Sequence, residues 1–509
     1  MLEPSRTYKR GLKQAVDWKL VICYLLLIFI GWINIYASVH SENPASIFDW
    51  SVRSGKQFIW ILTSLGLASV ILFLVNPRLW EVIATPSYLF VLCLLVLVIF
   101  VSKDTKGSHS WFELGPVKFQ PAEISKITTS LLLAATMSKP HFKLSKAKDF
   151  LSIAAIIGIP MLVIIAESET GSALVYAGFI FMLYREGLSG WLLLIAGMCI
   201  LLFITTLTIS PYGSLVILLT VISLCIAYEK DRIKLWLLRE APLMLALALL
   251  PKLWTAFCEM IIPGSSIIGQ VDPSVREAII AHSKLAFLLG FKPTWLLILL
   301  IGIRVPVMMF KAWREKNSFT WASLGALFIG IALIVSTDFL FNNVLQDHQR
   351  SRIEVLLGMK EDLAGAGYNV NQSKIAIGSG GLLGKGFLRG TQTTYGFVPE
   401  QSTDFIFCTV GEEWGFVGCF AVIALYVFLI WRIVSDAEKS RESFTRIYGY
   451  CVASCIFTHL FINIGMTIGL MPVIGIPLPL LSYGGSSLWA FTVMIFIFIA
   501  LDREEKKYF

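Results

Sequence analysis

Long apolar runs, separated by short polar or charged stretches, occupy most of the chain between residues 20 and 501. Runs able to cross, or nearly cross, a bilayer fall at 20–39, 57–75, 83–101, 122–138, 150–166, 171–184, 190–209, 213–228, 235–251, 294–313, 320–341, 410–434, 447–470 and 480–501. A hydrocarbon core about 30 Å thick needs about 20 apolar residues in helix. Inside lipid, backbone groups must find their partners within the segment. The pattern predicts an all-α, polytopic integral membrane protein of roughly fourteen spans, with 171–184 short enough to merge with a neighbour. The first run follows Arg6, Lys9, Arg10, Lys13 and Lys19. It is too long for a cleavable signal core and predicts a retained first helix.

The connections carry the topology. Lys139–Asp149, Glu229–Lys234, the region around Arg314–Lys316, Asp436–Arg446 and Asp502–Phe509 are rich in Lys and Arg. Placed inside by the positive-inside rule, they put both termini in the cytoplasm, as an even number of spans requires. Segments 102–121, 252–293 and 342–409 then fall outside. The last mixes Gly with Tyr, Phe, Ile and Val, so it reads as a folded loop packed back on the membrane domain. No internal repeat is evident.

Composition closes off other classes. Hydrophobic residues make up 56% of the 509 and charged ones 15%, against about a quarter charged in soluble domains. The net charge of +8 is accounted for by the alternate basic loops and points to no nucleic-acid partner. Of the nine cysteines, Cys451 and Cys455 share a helix face, but no further Cys or His completes a zinc or disulfide spacing.

Four polar constellations could carry chemistry. In KGSHSWFELGPVKFQPAEISK (106–126), Pro121 and Glu123 suit a helix start. Lys126 lies three residues further on the same face, where an unpaired charge is expensive in a span. In ESETGS (167–172), two carboxylates sit on a short turn that is either a solvated loop or, with Glu169, a neighbour of Glu123. The third spans 347–413 and contains Arg350, Arg352, Lys374, Lys385, Arg389, Thr403 and Asp404. Its glycines complete neither a phosphate-binding loop nor a dinucleotide fingerprint, because Ser379, Gly386 and Leu383 break the patterns. They suit tight turns and close backbone approach. Asp404 reads either as a helix cap or as a general base beside a basic cleft. The fourth, GMTIGLMPVIGIPLPLLSYGGSS (465–487), reads as a rigid re-entrant turn, since its prolines cannot continue a helix.

These stretches, in this order, resemble the SEDS family (shape, elongation, division and sporulation) of bacterial peptidoglycan glycosyltransferases. The GTQ stretch and the PVIGIPLPLLSYGGSS ending resemble its elongation branch. The resemblance implies a processive polymerase of lipid II in the bacterial cytoplasmic membrane, with its active site on the extracytoplasmic face. The MurNAc end of the lipid-linked strand would pass, with inversion, to the 4-hydroxyl of GlcNAc, releasing undecaprenyl diphosphate. It implies that Asp404 is the essential carboxylate and carries Gln120, Pro121, Glu123 and Lys126 into the site. Positive charge for the departing diphosphate would come from Arg350, Arg352, Lys385, Arg389 or a divalent cation, Mg or Mn. The implied partners are lipid II, the nascent strand, membrane lipids and a class B penicillin-binding protein.

Two departures stand out. The family's Gln-Pro-Asp-Leu-Gly-Thr appears here as Glu167 to Ser172, with Glu169 one methylene longer than the usual acid. The family has about ten spans, so a single membrane domain over 1–509 with about four inserted helices in 190–320 is expected, and 342–409 as the catalytic loop. A lipid II flippase or a non-catalytic scaffold are the competing readings. A flippase needs polar groups through the full membrane depth, whereas Glu123, Glu169, Asp404 and the basic loop are expected to gather on the outer face.

Overall fold

The computed structural model describes residues 16–39, 46–102, 110–114, 117–261, 293–316, 318–345, 350–351, 353–354, 357 and 366–507. In chain order the helices are α1 (Trp18–Val39), α2 (Arg53–Phe73), α3 (Arg78–Val101), α4 (Pro121–Met137), α5 (Ala147–Ala166), α6 (Thr170–Ala177), α7 (Phe179–Arg185), α8 (Gly190–Thr208), α9 (Pro211–Glu229), α10 (Ile233–Ile261), α11 (Thr294–Glu315), α12 (Ser318–Phe339), α13 (Ala366–Ser379), α14 (Thr391–Thr394), α15 (Ile406–Lys439), α16 (Ser443–Thr467) and α17 (Gly485–Lys507). A hairpin of β1 (Phe112–Leu114) and β2 (Val117–Phe119) precedes α4, with Phe112 opposite Phe119.

The chain is thus a polytopic, all-α membrane protein apart from that hairpin. Eleven of the described helices are long and apolar enough to cross a membrane. The remaining three of the fourteen expected runs are helical too. α4 has only 17 residues, the 171–184 run is broken at Gly178 between α6 and α7, and α10 carries Pro242 and Pro251 internally.

The chain divides into two units, residues 1–189 with 351–509, and residues 190–350. In the first, α2 packs on α17, α3 on α4, α15 on α16, α16 on α4, and α1 and α13 on α15. α16 is central: 83% of its most apolar stretch is buried, against 28% for α15, so α16 can hold polar side chains that lipid would reject. The second unit, α8–α12, closes on Leu202, Tyr212, Val216, Leu218, Leu297 and Leu327. Several of its internal polar groups are paired: Thr205 with Ser214 at 2.9 Å, the Tyr212 hydroxyl to the Leu247 carbonyl at 2.8 Å, and Glu240 with Arg304.

Candidate active site

α4 begins as its sequence predicts. Gln120 is extended, Pro121 occupies the first turn and Glu123 follows in it. Glu123 and Lys126 then pair at 2.8 Å with 3% and 1% of their side chains exposed. Lys126 also meets His459 Nε2 on α16 at 2.9 Å. An ammonium only donates, so Nε2 accepts, and the ring hydrogen on Nδ1 goes to the Pro477 carbonyl at 3.1 Å. Phe491 closes the pocket, with Lys126 5.4 Å from its centroid.

Pro477 belongs to the proline-rich segment between α16 and α17, where residues 472–484 form neither helix nor strand. Asn463, buried on α16, fixes this segment. Its Nδ2 donates to the Ile476 carbonyl at 2.7 Å and to the Asp404 carbonyl at 2.8 Å. Ser482 donates to the Thr403 carbonyl at 2.5 Å, and the Tyr483 amide donates to the Ser402 carbonyl at 2.8 Å. The Asp404 carboxylate borders Gly475, lying 3.5 Å from where a Cβ there would stand. Asp404 is half-buried, two residues before α15, so it is not a buried cap. Thr403 turns away, donating to the Glu400 carbonyl and carboxylate at 3.2 Å.

The ESETGS turn reaches the same segment from another side. A Cβ on Gly171 would stand 2.9 Å from the Ile474 carbonyl, so only glycine allows this approach. Glu169 accepts Ser110 Oγ at 2.8 Å. Glu167 is fully buried, and neither carboxylate oxygen has a hydrogen-bond partner. Burial, with the nearby Glu169 charge, pushes its carboxyl up to about 8.

The basic residues separate. Lys385 pairs with Glu412 at 2.7 Å and bonds Thr391 at 2.8 Å. Glu412 also accepts the amides of Gln392 and Thr393, binding the 385–395 segment to α15. Lys374 is exposed and lies over Gly469, while Arg389 is exposed. Arg350 belongs to the other unit, where it lies 5.3 Å from the Phe341 ring centroid. Arg352 lies outside the described residues. Among the described residues no group of three or more His, Cys, Asp or Glu could hold a metal ion.

A sequence model of the family described as cell cycle protein (FtsW, RodA, SpoVE) matches residues 17–242 and 275–507. The chain belongs to that family. The peptidoglycan glycosyltransferase MrdB of Escherichia coli K12 is 41% identical over 205 residues, which is 38% of this chain and 55% of that relative. The match thus spans about half of that protein's length. The peptidoglycan glycosyltransferase RodA of Treponema pallidum is 27% identical over 96% of this chain and 98% of its own. A chain from a solved peptidoglycan synthase complex, described as coordinating polymerization and crosslinking, superposes with a TM-score of 0.57 at 20% identity, covering 96% of this chain and 98% of that one. That likeness shows a shared fold.

Sequence reasoning missed several residues that surround Asp404 and Lys126 in the fold. His459 and Asn463 lie in a largely apolar helix, and their signal was only that polar groups are costly in a span, while Ser482 lies in the proline-rich motif, whose spacing names no partner. Arg53, at the start of α2, donates to Ser402 Oγ and stacks 5.8 Å from Tyr483. No motif marked it.

Proposed function

We propose that this protein is a peptidoglycan glycosyltransferase of the elongation branch, polymerising lipid II on the extracytoplasmic face of the bacterial cytoplasmic membrane, with both termini inside. The observation that carries the reading is the setting of Asp404. A half-buried carboxylate stands on a loop tied to α16 through Asn463 and to the proline-rich segment through Ser482.

The acceptor's GlcNAc 4-hydroxyl attacks the anomeric carbon of the lipid-linked MurNAc. The new C–O bond forms as the bond to the diphosphate oxygen breaks, with inversion. Asp404 takes the hydroxyl proton. Undecaprenyl diphosphate leaves with the bonding electrons, balanced by positive charge. Among the described residues of this unit, Arg53 and the exposed Lys374 and Arg389 are basic side chains that could take that role. Lys385 is committed to Glu412 and serves the shape of the loop. The Glu123–Lys126–His459 relay holds the proline-rich segment. A class B penicillin-binding protein is the proposed partner, and a divalent cation the proposed cofactor.

The test is gel-resolved polymerisation of labelled lipid II by purified protein, with and without the transpeptidase, beside Asp404→Asn. Strands from the wild type and none from the variant are expected. Equal polymerisation by both would remove Asp404 from the chemistry. No strands from the wild type, with partner and divalent ions present, would favour a flippase or scaffold.

A further inference from the structure

Gly415 interrupts α15, since its φ of +65° and ψ of −160° are not helical. In an unbroken helix the amides of Phe416 and Val417 would donate to the carbonyls of Glu412 and Glu413, four residues back. Here the 381–386 turn takes both sides of that exchange. The Phe416 and Val417 amides donate to the Gly381 and Leu382 carbonyls at 2.9 and 3.1 Å, and the Glu412 and Glu413 carbonyls accept the Lys385 and Gly386 amides at 3.0 Å. Gly384 permits the approach, because a Cβ there would stand 2.1 Å from the Glu413 carbonyl oxygen.

The break also marks a change of surroundings. Residues 405–413 are all buried, whereas Trp414, Phe416 and Val417 are exposed. From 416 to 439 the helix is long enough to cross a bilayer by itself, which takes about 20 apolar residues. The turn is thus pinned where the span begins. There it presents Leu382 and Leu383, 67% and 74% exposed, and Phe387, whose ring lies 6.1 Å from that of Trp414. Lys385, the charge between them, is drawn back to Glu412.

We propose that this turn is a membrane anchor: Leu382, Leu383 and Phe387 enter the leaflet at the amino end of α15 and contact lipid. Exposed apolar patches of this kind mark protein or membrane contacts, and two features favour lipid. The patch is continuous with the exposed apolar side of a span. The amides at 384–386 and 388 all have partners, as lipid requires of backbone at this depth. Interfacial segments bury apolar side chains about 5–10 Å into the headgroup boundary, with aromatic rings at that level. Only the buried stretch 406–414 separates Gly415 from the Asp404 loop, so the anchor fixes the height of Asp404 relative to a lipid-linked substrate. That consequence rests on the polymerase reading; the anchoring itself does not.

Photocrosslinking without lipid II tests the anchor. Benzoylphenylalanine replaces Leu383 or Phe387, singly, in full-length protein reconstituted into phosphatidylethanolamine–phosphatidylglycerol nanodiscs. Trp431, exposed on the α15 span, and Lys143, in the exposed polar loop before α5, are the reference positions. After irradiation, mass spectrometry reads the phospholipid adducts. Yields at 383 and 387 should match that at 431 and exceed that at 143 by more than about ten-fold. Both positions are exposed, and a gel-filtration profile checks that each variant folds. Yields at both no higher than at 143, while 431 labels, overturn the anchor. Crosslinks in native membranes to another protein, without lipid adducts, overturn it in favour of a docking surface. Lipid adducts in a protein that makes no glycan would refute the polymerase reading and keep the anchor.

Discussion

Replacing Lys126 by Met separates structural from chemical roles for the buried pair. Lys126 supplies hydrogen bonds to Glu123 at 2.8 Å and His459 at 2.9 Å. Glu123 Oε2 already has no partner, so the substitution leaves the whole carboxylate unmet. Breaking a buried pair by removing one partner costs about 3–5 kcal/mol, and orphaning the His459 acceptor adds about 1–3 kcal/mol. Removing both charges, as Glu123→Gln with Lys126→Met, avoids the lone charge. The double variant should therefore be more stable than the Lys126→Met single.

Cys23, Cys408, Cys419, Cys451 and Cys455 are buried, so labelling by a thiol-reactive fluorogenic dye during heating reports unfolding. Lys126→Met should melt well below wild type, with the double variant recovering much of the loss. Polymerisation should not recover with it. A single variant that melts as wild type would refute the energetic argument. Wild-type polymerisation by the double variant would make the pair a helix-start device and remove Glu123 and Lys126 from the site.

Gly415 has φ +65°, and a Cβ there would stand 2.3 Å from the Gly384 amide nitrogen. Gly415→Ala should push the 380–395 segment off α15, seen as faster proteolysis within that segment. Glu412→Gln removes the partner of Lys385 and weakens bonds to Gln392 and Thr393, each about 1.5–3 kcal/mol as charged hydrogen bonds. It should expose the same segment to protease and leave α16 intact. Burial, then the Glu505 and Glu81 charges, raises the Glu442 carboxyl above 4.5. A raised acid stabilises the fold most below 4.5 and loses that contribution as pH rises through its folded value. Glu442→Gln should flatten the fall in melting temperature with rising pH.

The spans were legible because lipid imposes one rule on every crossing segment, and each of the fourteen apolar runs is helical. The start of α4 was legible from Pro121 and Glu123 for a local reason: caps depend on near neighbours. Asp404 was marked by its motif, but its mooring was not. Asn463 and His459 are single polar residues in an apolar helix, and their partners lie at Asp404, Ile476, Pro477 and Lys126. Such long-range pairing leaves no spacing to read. The pairing of Lys385 with Glu412 at 2.7 Å is equally long-range, so nothing in the basic loop's own sequence signals it.

The proline-rich segment explains why these separate signals belong together. It has no ladder of its own, so its position comes from other elements: α16 through His459 and Asn463, α2 through Gln57 to the Gly484 amide at 3.3 Å, and α6 through the contact at Gly171. Each neutral hydrogen bond is worth only about 1 kcal/mol. Several from different directions nevertheless leave the segment few alternatives, and the Asp404 loop is bonded to it. A base must be held at hydrogen-bond distance from the hydroxyl it deprotonates, with a tolerance of about 0.5 Å. An irregular segment fixed by three helices achieves this where a single helix end could not. A shift of α16 would move the Lys126 contact and the Asp404 carbonyl together. The buried relay and the carboxylate are therefore one mechanical unit, despite lying 278 positions apart in the chain.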